Sequence, residues 1–167
     1  MSLVRLPDWV ARLNAWVAAN RTRPFAWGEW DCVVAAADMA REITGTDVLG
    51  RRWTSQPGAM RALKAAGGLK AAVTGCLGDP IGVAFAQRGD VVLIEDEALS
   101  VTPGGMIAVC TGEHVVAPAR DGLVFFPVSC AAQAWRVGRD LSRCHCAGRG
   151  CRDRHRGLLS RLFGRDK

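Results

Sequence analysis

Apolar residues recur at three- and four-residue spacing through Leu6, Trp9, Val10, Leu13, Trp16 and Val17, which predicts an amphipathic helix over residues 8–19 started by Pro7 and Asp8. After a polar break at 20–24, Asp31 is a good N-cap for a second helix running from Cys32 to about Thr44 and closed by Gly45. Val33, Ala36, Ala37, Ala40 and Ile43 make that helix rich in small residues, as suits close packing against a sheet or another helix. Two more helices are predicted at 57–66, before the Gly67-Gly68 stop, and at 69–77. From Gly89 the pattern changes to short strands at 90–94, 106–110, 115–117 and 123–128, separated by Gly, Pro, Asp and Glu. Helices first and a meander afterwards predict an α+β fold, N-terminal helices packed on one face of an antiparallel sheet.

The chain has 167 residues, enough for one domain with a sizeable core. Its charge divides it. Residues 1–138 hold 13 basic and 13 acidic side chains, whereas 139–167 hold 9 and 3, so the whole net charge of +6 sits in the tail. The expected organisation is therefore a neutral domain at 1–138 and a basic, Cys-rich extension at 139–167. A neutral body argues against direct nucleic-acid binding. No apolar run is long enough for a membrane span, and the amphipathic start is not a secretory signal, so synthesis in the cytoplasm is expected. Seven cysteines, an odd number, argue against a disulfide framework.

The most informative string is Pro24-Phe25-Ala26-Trp27-Gly28-Glu29-Trp30-Asp31-Cys32, an aromatic turn that delivers a cysteine to the first turn of a helix. The helix dipole and free N–H groups there favour a thiolate, making Cys32 the candidate nucleophile, with Trp27 and Trp30 as walls of a cleft. The alternative is a buried structural cysteine. Together with Arg88-Gly89-Asp90-Val91-Val92-Leu93 and Ala134-Trp135-Arg136-Val137, the string resembles the NlpC-type papain-like cysteine peptidases and amidases, and specifically their divergent branch in phage and prophage tail gene clusters. The resemblance covers residues 6–137. It implies a papain-like fold and, in active relatives, a cysteine that attacks an amide of cell-wall peptide while a histidine opening the second meander strand takes its proton. Gly105 or Met106 stands there instead, and His114, the one histidine of the body, follows that strand.

The resemblance without its base implies a structural component of a phage tail tip or baseplate, made in the bacterial host cytoplasm and located in the virion, on a scaffold that does not hydrolyse. The alternative is an active peptidoglycan-cleaving amidase or endopeptidase that uses Cys32 during genome delivery. In and before the extension, Cys130, Cys144, Cys146 and Cys151 supply enough thiols for zinc or an iron–sulfur cluster, though their C-x13-C-x-C-x4-C spacing matches neither a zinc-finger nor a ferredoxin pattern. The alternative is a tail of reduced thiols. Leu158, Leu159, Leu162 and Phe163 form an apolar stripe among arginines, the pattern of a short basic amphipathic helix with DNA phosphates, anionic lipid or a partner's groove as its targets. With the resemblance, docking onto other tail-tip or baseplate proteins is expected.

Overall fold

A computed structural model describes residues 3–50, 52–96 and 104–139 and shows an α+β fold of four helices followed by a five-stranded antiparallel sheet. Helix α1 (Trp9–Asn20) turns Trp9, Leu13 and Trp16 inward, the stripe that the sequence predicts. Asp8 does not cap it; its carboxylate instead accepts from Arg12 one turn on, at 2.8 Å. Helix α2 (Cys32–Thr44) is buried along most of its length. The Asp31 carboxylate accepts the Val33 and Val34 N–H groups at its start, and Gly45 ends it in the left-handed conformation at φ 74°. Helix α3 (Gln56–Ala65) starts one residue earlier than expected, because the Ser55 side chain accepts from Gly58 and Pro57 fits the first turn. Helix α4 (Leu69–Leu77) has the predicted bounds.

The strands are β1 (Val91–Ile94), β2 (Met106–Cys110), β3 (His114–Ala119), β4 (Gly122–Pro127) and β5 (Gln133–Trp135), in sheet order β4-β3-β2-β1-β5. The first four form the expected meander. The fifth crosses back to pair with β1, Val91 opposite Trp135, and the sequence pattern does not show it because three residues are too few for a period. Its Trp135 indole N–H reaches the Thr74 hydroxyl of α4 at 3.1 Å, tying helix to sheet edge. Every residue of β1 and β2 is buried, so both faces of the sheet centre are covered and these strands read as continuous apolar runs. The outer strands are blunted as pairing surfaces. The Leu123 N–H of β4 donates to the Arg21 carbonyl and Pro127 has no N–H to offer, while Ile81 exchanges backbone hydrogen bonds with Ala134 of β5.

The Gly-Asp-Val string opens β1 as a turn, with Gly89 at φ 82° and the Asp90 N–H donating to the Gln87 carbonyl. Asp90 is wholly buried. Its carboxylate accepts from the Arg5 guanidinium at 2.7 Å and from the Val137 and Gln87 N–H groups at 3.1 and 2.9 Å. Arg5, itself buried, also donates to the Val137 and Arg88 carbonyls and lies 4.3 Å from the Trp9 ring centroid. One ion pair thus fastens the N-terminal segment, the start of β1 and the end of the sheet. Burial pushes the Asp90 carboxyl above its ordinary range, against the two N–H donors and Arg5, which favour its charged form. Losing either partner would strand a buried charge. Of the two strings that prompted a family resemblance at the sheet, both serve this clamp.

Candidate functional site

The aromatic turn before α2 is held by one carboxylate. Asp31 is buried; one oxygen accepts Val33 and Val34, and the other accepts the Gly28 N–H at 2.9 Å and the Trp53 indole N–H at 2.6 Å. Trp53 comes from the loop after α2, and its carbonyl lies so near Gly28, at φ 77°, that an added Cβ would sit 2.1 Å from it. Only glycine fits there. Trp53 was not evident in the sequence as part of this turn, being 22 residues from Asp31.

The turn brings Cys32 against β2, where the backbone N–H of Ile107 faces its sulfur together with those of Val33 and Cys32. This matches the expected juxtaposition of the α2 start with the strand that begins at Met106. The chemistry is that of the alternative, a buried structural cysteine. Cys32 is only 6% exposed, and burial, reinforced by the neighbouring Asp31 charge, pushes its pKa up to about 11 despite the three N–H groups. The helix N-terminus favours the thiolate, but loss of water outweighs it. Cys32 is a neutral thiol at physiological pH.

The cavity described below is lined by neither Trp27 nor Trp30. Trp30 is buried in the core, 5.7 Å from the Trp16 ring and covered by the Arg23 guanidinium at 4.1 Å, and Trp27 stacks edge-on against Phe25 at 5.0 Å. Met106, 7% exposed, occupies the strand position where a base would stand. His114 begins β3, just beyond the Cys110–Val115 pair that ends the β2–β3 ladder. At ~3.4 Å per residue, this puts it roughly 14 Å along the sheet from Ile107. It is exposed and does not meet Cys32. Asp38, another carboxylate on α2, is engaged by the Trp16 indole N–H at 3.0 Å and by Arg41 at 2.7 Å.

Of the candidate metal ligands, Cys130 is a free, exposed thiol in the short helical turn after β4, while Cys144, Cys146 and Cys151 lie outside the described residues. Among the described residues no three His, Cys, Asp or Glu side chains gather as a metal site. The docking stripe of Leu158, Leu159, Leu162 and Phe163 also lies outside them. Among the described residues no helix is long and apolar enough to cross a membrane.

A feature that the sequence does not announce lies beside Cys32. The outer flank of α2, α3, α4 and the first strands enclose an almost wholly apolar cavity of about 90 Å³, with Val33 and Ile107, the immediate neighbours of the buried thiol, in its wall.

Residues 4–137 fit the model of a family described as a domain of unknown function, DUF6950, and the chain belongs to that family. No curated protein matches it.

Proposed function

We propose that this chain is a structural component of a phage tail tip or baseplate, built on a papain-like scaffold in which the nucleophile position has become part of the core. The observation that carries the non-hydrolytic part is the state of Cys32: buried, with a pKa of about 11, and faced on β2 by the backbone of Ile107, while the strand opens with Met106 where a histidine would stand. Nucleophilic attack needs a thiolate and a base within hydrogen-bond reach. Support for the scaffold is the order of elements, with the start of the central helix laid against the second meander strand. The virion setting rests on the resemblance of the Trp27–Cys32, Arg88–Leu93 and Ala134–Val137 strings. The basic extension, with Leu158, Leu159, Leu162 and Phe163, then serves to hold the domain to its neighbours. Zinc or an iron–sulfur cluster at Cys130, Cys144, Cys146 and Cys151 would be a cross-link within that attachment.

Two measurements test the reading. Mass spectrometry of purified particles should find the chain at a fixed copy number, and deletion of residues 154–167 should leave the body folded but remove it from the particle. Purified protein should release no product from muropeptides, because a general base contributes about 10²–10⁴-fold and among the described residues the one histidine, His114, stands away from Cys32. Particles that lack the chain overturn the structural role; cleavage abolished by Cys32→Ala establishes the peptidoglycan hydrolase instead.

A further inference from the structure

We infer that the apolar cavity on the flank of α2 is a docking site for an acidic segment of a partner protein, which inserts one aliphatic or aromatic side chain. This goes beyond the proposed function, since it depends neither on Cys32 nor on a particle. The floor is buried, formed by Ala36, Ala40, Val73, Val91 and Ile107, whereas Ala62 and Cys76 at the rim are exposed and Trp53 is half-buried, so the space opens to solvent. Its size sets the guest. A dry cavity of about 150 Å³ accommodates a benzene ring, so about 90 Å³ admits part or all of one side chain and not a long acyl chain.

Charge selects the chain that carries it. Residues 45–79, which supply the rim, hold five basic and two acidic side chains, while the remainder of residues 1–138 holds eight basic and eleven acidic. Arg61 and Lys64 stand exposed on either side of the lining Ala62 and Leu63, and neither has an ion-pair partner among the described residues. Arg52 and Lys70 are held loosely, at 3.8 Å from Asp47 and Glu95. An apolar hole whose lining residues Trp53, Ala62 and Leu63 are flanked in sequence by cations, Arg61 and Lys64 among them without an ion pair, suits an apolar anchor flanked by carboxylates. The basic extension of this chain has the wrong sign for that rim, so it is not the guest.

Fluorescent glutamate-rich peptides with one variable central residue test this on the full chain, by anisotropy and by the rate of Cys76 alkylation read by mass spectrometry. Leucine- or phenylalanine-centred peptides should bind at least about tenfold tighter than the serine-centred one, as burial of a large apolar side chain predicts, and should slow Cys76 labelling. Lysine-rich versions should not bind. Ala62→Trp, at an exposed helix position, should close the mouth and abolish the preference, and Arg61→Glu with Lys64→Glu should weaken every acidic peptide. The proposal is overturned by equal binding of all central residues, by a preference that survives Ala62→Trp, or by decanoate protecting Cys76 as well as the acidic peptides do.

Discussion

The two sides of α2 offer opposite things to another molecule. Its N-terminus carries the thiol that the local sequence marks for chemistry, and that thiol is sealed; its alanine flank carries no reactive group, and it borders a cavity open to solvent. The magnitudes explain the first half. A helix N-terminus favours an adjacent anion by about 0.3–1 kcal/mol at a surface and up to about 2 in partly buried geometry. The rise of the Cys32 pKa from 9.0 to about 11 corresponds to roughly 3 kcal/mol against the thiolate. Burial wins. A cysteine at a helix start is reactive only where water reaches it, and here the water reaches the flank.

The contrast depends on the turn that keeps the N-terminus closed, so the largest effect is expected there. Asp31→Ala removes four acceptor contacts at once, from Gly28, Val33, Val34 and Trp53. A lost cap and newly unsatisfied buried donors should together cost about 3–5 kcal/mol in chemical denaturation. The same variant should expose Cys32 to alkylation under native conditions, making the two sides of the helix alike.

Alkaline titration sharpens the comparison next. A thiol with a raised folded-state pKa keeps its proton in the native protein while the unfolded chain loses it. Its contribution is therefore complete below pH 9 and declines as pH rises to about 11. Wild type should lose about 3 kcal/mol relative to Cys32→Ala across that window, read from urea midpoints at each pH. Equal pH dependence in the two proteins would mean that Cys32 is not desolvated.

Enlarging one side chain on each side gives the smallest differences. Cys32→Leu should cost about 1–3 kcal/mol by overpacking the closed end. Ala36→Leu points new methyl groups at the cavity wall and should stay within about 1 kcal/mol of wild type. Comparable losses at both positions would show that the cavity cannot take added volume.

How much of this was legible in the sequence followed from the range of the interactions. Asp31, Gly45 and the apolar run of α2 act within a few residues, and they predicted the helix with its observed ends. The meander was equally local, with β1 to β4 found within one or two residues of expectation. The clamp was not, because Arg5 and Asp90 are 85 residues apart; an arginine just before the Leu6–Val17 stripe was its only local sign. Trp53 has no local sign either, since its partner Asp31 is 22 residues away. The choice between an activated and a buried Cys32 was not legible, because sequence shows its helix position but not the sheet that covers it. The cavity had no signal at all, since it arises from how small residues on α2 meet α3 and α4.

The most direct test of the central claim, a sealed thiol beside an open flank, is the native-state alkylation rate of each cysteine at pH 7.5, resolved by peptide mapping of the full chain. Cys76 should react readily, and Cys32 only as fast as the protein unfolds, with Cys32 labelling accelerated by denaturant in step with loss of structure. A Cys32 that is alkylated as fast as Cys76, or faster, in the folded protein would contradict the account and restore it as a nucleophile.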